Sequence, residues 1–268
     1  DFCFVVGLQA GVAGAAIATV IAQGCSFLCC WLYIRRRLPL IHLTRQDFVF
    51  DSTLLKSIVQ YSFAAACQQV YIYLGLLLVQ GLVNGYGTRV IAAFNGAERL
   101  DTLLQTAGLD FANALTTFTA QNYGAGKIRR VKEGFKVGFV VMPIIVAVMM
   151  LLGILGGRWL MAFFVERGES DIIAQGAACI RVISYGYWLA ETINLSQGLF
   201  RGVGMLKINF SSTLFSITTR VGLSYLLSQS WGMAGVWWAI PCSWIPCAIF
   251  CIYHVRRFFL RYPEPTVS

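Results

Sequence analysis

Seven long apolar segments divide the 268-residue chain and leave little room for any fold other than a bundle of membrane helices. A helix needs about 20 apolar residues to cross the hydrocarbon core of a bilayer. The segments reach that length, with polar connections between them, at 8–33, 56–83, 90–120, 136–163, 173–200, 208–228 and 233–256. The pattern predicts an all-α integral membrane protein with about seven transmembrane helices.

The composition agrees with a membrane location. The chain is 57% hydrophobic and 12% charged, with a mean hydropathy of +0.68, whereas a soluble domain is nearer one quarter charged. A net charge of +9 would suggest nucleic acid as the partner of a soluble protein. In a membrane protein the same excess indicates cytosolic loops, so we expect lipids as partners and no nucleic acid.

The basic residues alternate between loops. Fifteen of the 21 lie in every second loop, which the positive-inside rule places in the cytosol together with the C-terminus. These fifteen are Arg35, Arg36, Arg37, Arg45, Lys56, Lys127, Arg129, Arg130, Lys132, Lys136, Arg201, Lys207, Arg256, Arg257 and Arg261. We therefore predict a multi-pass protein of a cell membrane, most simply a bacterial cytoplasmic membrane.

The first and last apolar segments resemble each other. At a constant offset of 221 residues, both begin with Gly-x-Ala-Gly and end in a double arginine, in 11–36 and 232–257. Chance matching of small residues is one explanation. The other is that each segment is the last helix of a repeated unit, as in two-lobed transporters.

The repeat, the odd number of spans and the absence of an initial methionine together predict a fragment. In that interpretation residues 1–36 are the last helix of an N-terminal lobe that is otherwise missing, and 37–55 are a cytosolic interlobe loop. Residues 56–262 then form a six-helix C-terminal lobe, and 263–268 a cytosolic tail.

Acidic residues inside the apolar segments are the candidates for ion coupling. Ionisable groups at membrane depth are energetically expensive and so mark functional hypotheses. Glu191 is the first candidate, because it lies well inside its segment with no basic residue within four positions. Glu98 and Asp101 share one face of the third segment, and Asp110 lies on the opposite face. The alternative for Glu98 and Asp101 is a structural pair with Arg99 or Arg220.

Polar residues in the second and third segments are the candidates for substrate binding. Amide and aromatic groups facing a cavity suit organic cations, through hydrogen bonds and cation–π contacts. The candidates are Gln68, Gln69, Tyr71, Tyr73, Asn95 and Arg99.

Other chemistry has little support in the sequence. Cysteine pairs at i,i+4 spacing have no carboxylate close by, and the chain has only two histidines, so we expect no metal and no cofactor besides a coupling ion, H⁺ or Na⁺. The glycine pairs 153/157 and 198/202 have the spacing of close helix packing. GAGK at 124–127 is not a nucleotide loop, because Gln121 replaces the first glycine and Ile128 follows the lysine. We expect a turn there.

Three motifs carry a family resemblance. TTFTAQNYGAGKIRRVKEG (116–134), QGLFRGVG (197–204) and GVAGAAIATVIAQ (11–23) resemble stretches of the multidrug and toxic compound extrusion (MATE) transporters, in the same order along the chain. The resemblance implies helices six to twelve of a twelve-helix fold whose two lobes face a central cavity and alternate access by rocking.

The resemblance also implies a function. It implies secondary active efflux of amphipathic or cationic organic compounds in exchange for H⁺ or Na⁺, and not an enzyme. An acidic residue about ten positions before Arg-Gly takes part in ion binding in part of that family, and Glu191 is ten before Arg201. Other members use a glutamate in their seventh helix, which is absent here. The alternatives are a lipid-linked sugar flippase of the same architecture, which needs a cationic cavity, and, with less support, a membrane-embedded enzyme or a scaffold.

Overall fold

The computed structural model describes residues 11–37, 49–165 and 169–262, which form eight α-helices and no strand. The predictions for Arg45, most of the 37–55 loop and the 263–268 tail lie outside these residues. The helices are α1 (Gly11–Arg37), α2 (Ser52–Asn84), α3 (Thr88–Gly124), α4 (Ile128–Met161), α5 (Ser170–Ser184), α6 (Tyr187–Gly202), α7 (Leu206–Trp231) and α8 (Met233–Leu260).

The prediction of one helix over 173–200 is wrong. Six of the seven apolar segments correspond to one helix each, but the fifth is divided into α5 and α6 at Tyr185–Gly186. The reason is a tertiary contact. Gly186 lies against Pro241 and Trp244 of α8, where a Cβ atom would come within 2.6 Å of the proline side chain. The chain bends where only a glycine fits under α8.

Within the described residues, four helices are long and apolar enough to cross a membrane by length and composition: α1 from Ala16, α2, α4 and α8. The other four helices are too short or too polar to meet this criterion. Helices α5 and α6 have 15 and 16 residues. Helix α3 carries the acidic and basic residues discussed below, and α7 is rich in serine and threonine. Seven crossings therefore stay a prediction.

The chain divides into two compact units, Asp1–Ile58 and Val59–Ser268. In the second unit α3 packs against α4, α5 and α6, while α7 pairs with α8 and α6 packs on α8. The core between these helices is closed by large side chains with almost no exposure, among them Phe94, Leu100, Tyr187 and Phe200. Because α3 and α6 are central to this core, polar groups on their facing sides are buried in protein and not in lipid.

Two motifs of the sequence end helices in the same way. After α3, the N–H of Lys127 donates to the Asn122 carbonyl (2.8 Å) and that of Gly126 to the Tyr123 carbonyl (3.0 Å). After α6, Met205 and Gly204 make the same two bonds to Phe200 and Arg201. This is the Schellman motif, which needs a left-handed residue, and the φ angles of Gly126 and Gly204 are 71° and 76°. The GAGK stretch is therefore a turn, as expected.

The predicted close packing at the glycine pairs is confirmed. A Cβ at Gly198 would come within 2.7 Å of the Ala112 carbonyl oxygen in α3, and one at Gly202 within 2.6 Å of the Thr119 side chain. A Cβ at Gly157 would meet Ile180 of α5 at 2.8 Å. The backbones of α3 and α6 approach one another because these positions lack side chains.

Replacing Gly198 by alanine is therefore expected to destabilise the protein. The methyl group meets backbone atoms that cannot rotate away, and overpacking costs about 1–3 kcal/mol. Gly222→Ala is the matched control, since Gly222 is also helical and has no atom within 4 Å of its Cβ position. Gly222→Ala should raise the free energy of unfolding by about 0.5–1 kcal/mol, because alanine lowers the conformational entropy of the unfolded chain. Thermal unfolding of both variants in detergent tests this, and shifts of the same sign would contradict it.

Candidate functional site

The face of α3 that is turned toward α6 and α7 carries two partly buried carboxylates that are held by those helices. The Tyr187 hydroxyl, in the first turn of α6, donates to Asp101 Oδ1 at 2.9 Å, and Gln105 Nε2 donates to Asp101 Oδ2 at 2.7 Å. One turn earlier, Arg220 of α7 forms an ion pair with Glu98, with Nη2 and Oε1 2.9 Å apart. Both carboxylates thus tie α3 to a neighbouring helix.

Glu191 of α6 is the most deeply buried of the predicted acidic residues, with 3% of its surface exposed. Its carboxylate occupies the space that Gly108 of α3 leaves open, since a Cβ at Gly108 would collide with the carboxylate atoms. Asn194 Nδ2 donates to Glu191 Oε1 over a long 3.4 Å. Among the described residues no lysine or arginine forms an ion pair with Glu191.

These groups form one row, which we call the carboxylate row: the partly buried Arg220, Glu98 and Asp101 and the buried Tyr187 and Glu191. Asp101 and Gly108 are seven residues apart on the same face of α3, which is two turns or about 10 Å. Tyr187 and Glu191 are one turn apart in α6. The break at Tyr185–Gly186 therefore determines the geometry of the row. It starts α6, and α6 brings Tyr187 and Glu191 against α3. The sequence placed Glu98 and Asp101 on one face, but the approach of Glu191 to that face could not be found from it.

The predicted ligands on α2 divide into two groups. Gln68 Nε2 donates to Thr213 of α7 (2.7 Å) and its oxygen accepts from Asn209, while the Tyr71 hydroxyl bonds Thr218 (2.6 Å). These two side chains hold α2 to α7. Gln69 and Tyr73 are exposed, Tyr73 by 60%. Only the second pair is free to contact a substrate.

A polar stripe runs along the exposed face of α3, and the sequence predicted three of its members separately, Asn95 and Arg99 as substrate ligands and Asp110 as an acidic candidate. The members recur every three or four residues, as a helix requires, and all are exposed: Asn95, Arg99, Thr102, Thr106, Asp110, Asn113 and Thr117. Each of the three threonines donates to a carbonyl of its own helix, and within the described part of the chain Asn95, Arg99 and Asp110 make no side-chain hydrogen bond. A test of polar periodicity over 95–117 would have found the whole stripe.

No group of three or more metal-ligating side chains is found in the described residues. A proton or a monovalent cation needs fewer ligating side chains than such a metal site. Glu191 and the neighbouring Asn194 amide could hold a proton or Na⁺ between α6 and the Gly108 backbone without a further acid. The remaining elements of the row serve as hydrogen-bonded and ion-paired supports.

A helical segment broken between α5 and α6 and a carboxylate buried between packed helices are features that polytopic helical transporters share. The MatE family profile matches residues 64–226. The chain belongs to the MatE family.

Two curated relatives are similar to this chain over nearly its whole length. The chain is 26% identical over 259 residues to the probable multidrug resistance protein YpnP of Bacillus subtilis, covering 95% of this chain and 57% of the relative. It is 21% identical to the multidrug export protein MepA of Staphylococcus haemolyticus, over 96% of this chain and 57% of the relative. The chain thus spans a little over half the length of these curated relatives.

Two solved structures share the fold. One is an outward-facing multidrug resistance MATE family transporter of the MOP superfamily, with a TM-score of 0.84 and 21% identity over 98% of this chain and 60% of that one. The other is a MOP superfamily transporter from Pyrococcus furiosus described as having a binding pocket of reverse polarity, with a TM-score of 0.86 and 21% identity over 97% and 59%.

Proposed function

We propose that this chain forms one lobe of a secondary active exporter that expels amphipathic or cationic organic compounds in exchange for H⁺ or Na⁺. The observation that carries the proposal is Glu191, a carboxylate buried between α3 and α6 without a cationic partner among the described residues. The relatives of this chain that are named for multidrug resistance or export support the proposed class of substrate.

Glu191 suits ion coupling better than its two neighbours do. A buried charge needs a counter-charge, and Glu98 already has one in Arg220. Asp101 has two hydrogen-bond donors, from Tyr187 and Gln105. Glu191 has one long hydrogen bond, so a proton or Na⁺ supplies what the protein does not. Asp101 and Glu98 stay in the proposal as the second and third candidates for ion coupling, with contacts that also position the row.

The polar stripe on α3 is the proposed substrate surface, together with Gln69 and Tyr73. Groups such as Asp110 and Asn113 are unfavourable against lipid but suitable in a water-filled pathway. Asp110 supplies a negative charge for an organic cation, and Tyr73 a ring for a cation–π contact. The pathway would lie between this lobe and a second one, in a membrane with the C-terminus in the cytosol.

The lipid-linked sugar flippase remains the second candidate, and one observation weakens it. That function needs cationic groups for a pyrophosphate, and the sequence offers Arg99, Arg181 and Arg220. Arg220 is paired with Glu98. Of these three arginines, Arg99 and Arg181, both exposed, are left to provide a cationic cavity.

Transport by cells expressing the complete gene tests the proposal. Cells of a strain lacking its own efflux pumps should accumulate less ethidium and other cationic dyes, and collapse of the proton or sodium gradient should restore accumulation. Accumulation equal to that of vector-only cells across a panel of dyes and drugs would refute efflux. Release of a labelled polyprenyl-linked sugar across the membrane, without dye efflux, would favour the flippase.

A further inference from the structure

A long groove runs between α3 and α4, away from the carboxylate row. It begins at the Gly124–Lys127 turn and has a volume of about 870 Å³. Its α3 wall includes Phe111, Leu115 and Phe118, and its α4 wall includes Val137 and Val141. A cavity of this size accommodates an organic ligand.

One end of the groove is positively charged. Lys127 and Arg130 line it, both are exposed, and neither has an ion-pair partner among the described residues. The single acidic residue on the wall, Glu133, is already bonded to Arg129 at 2.8 Å. Helix α4 also begins here without a side-chain cap, and an uncapped N-terminus favours a negative charge. An anion is the ligand that complements this end.

The other end of the groove is apolar. From Gln121 to Phe111 the groove follows ten residues of α3, which is about 15 Å of helix and one half of a hydrocarbon core about 30 Å thick. The seam between the two helices then continues into a second cavity of about 460 Å³. All residues lining that cavity are apolar, among them Leu103, Ala107, Ile144 and Val148.

We propose that this groove binds an anionic diacyl phospholipid, with the phosphate at Lys127 and Arg130 and an acyl chain along the α3–α4 seam. Charge at one end and about one leaflet of apolar length beyond it match a lipid and not a soluble anion. An exported organic cation would meet two like charges at the entrance. The lipid site requires a membrane location but not transport activity. A failure of the efflux proposal would therefore not refute the lipid site, and a failure of the lipid site would not refute efflux.

Native mass spectrometry of the purified, delipidated chain tests the headgroup contact. With equimolar phosphatidylglycerol and phosphatidylcholine of identical acyl chains, the unmodified protein should retain phosphatidylglycerol preferentially. Lys127→Gln with Arg130→Gln should reduce that preference about tenfold or more, since each basic residue near a membrane surface contributes substantially to binding anionic lipid. Arg37→Gln with Lys207→Gln is the control, because it removes two exposed cations that do not line the groove. Circular dichroism of each variant verifies its helical content.

A second variant tests the apolar end independently. Ala114 is exposed and lines the groove, so Ala114→Trp should fill it and lower retention of both lipids with the cations intact. Equal retention of the two lipids by the unmodified protein would overturn the proposal. So would an equal loss in the control pair, or displacement of the lipid by tetraphenylphosphonium or by inorganic phosphate alone.

Discussion

Glu191→Gln is expected to abolish ion-driven exchange while the protein is still made and inserted. The amide keeps the size of the side chain, and so the fit against Gly108, but it carries no charge with which to hold H⁺ or Na⁺. Coupling free energies of about 1–3 kcal/mol correspond to roughly 5–150-fold effects, so gradient-driven dye efflux should fall by about tenfold or more. The measurement is efflux from energised cells or vesicles, normalised to the amount of protein.

Two further variants make this result specific. Glu133→Gln is the matched control, because Glu133 is an exposed partner of Arg129 on α4 and should leave efflux unchanged. Gly108→Ala adds a methyl group where the Glu191 carboxylate lies and should impair coupling without removing any titratable group. Undiminished exchange in Glu191→Gln would remove this residue from the mechanism, whatever Gly108→Ala does.

Much of the helical architecture is visible in the sequence because length and polarity are local properties. Six of the seven apolar segments correspond to single helices, and the turns at Gly126 and Gly204 end α3 and α6 in motifs that the sequence marks. The break at Tyr185–Gly186 is not local. It depends on Pro241 and Trp244, which are more than 50 residues further along the chain, so an uninterrupted apolar run gave no sign of it.

In the candidate site, too, local features were predictable from the sequence and contacts between distant residues were not. The position of Glu191 in an apolar segment already indicated a buried carboxylate, and its burial is now seen. Its neighbour Gly108 lies 83 residues away and could not be identified. The sequence left Arg99 and Arg220 open as partners of Glu98, and the structure selects Arg220. Adjacent residues do not face each other on a helix, which explains why Arg99 lies on the exposed stripe.

For α2, the sequence indicated polar and aromatic side chains that face a cavity, but not which of them would instead bond a neighbouring helix. Gln68 and Gln69 are neighbours in sequence, yet the first bonds α7 and the second is exposed. That difference follows from where α7 packs. Substrate contact by Gln69 and Tyr73 stays a prediction.

Arg220→Gln is expected to destabilise the lobe, and a second substitution at Glu98 is expected to restore part of the stability. Breaking a fully buried ion pair costs about 3–5 kcal/mol because one charge is left without its partner. The side chains of Arg220 and Glu98 are 17% and 34% exposed, so we expect about 2 kcal/mol. Thermal unfolding in detergent measures the effect, and the double variant Glu98→Gln with Arg220→Gln should lose less than the single Arg220→Gln.

Comparing the single Arg220→Gln variant with the double variant also separates a structural role of the pair from a coupling role of Glu98. If the pair only joins α3 to α7, the double variant should regain efflux together with stability, because no unpaired charge remains. If Glu98 itself carries the ion, the double variant should be stable and inactive. Arg89→Gln, which breaks an exposed pair with Asp171 at 3.5 Å, is the control and should change stability by less than about 1 kcal/mol. A single Arg220→Gln variant as stable as this control would show that the partly buried pair contributes nothing to the fold.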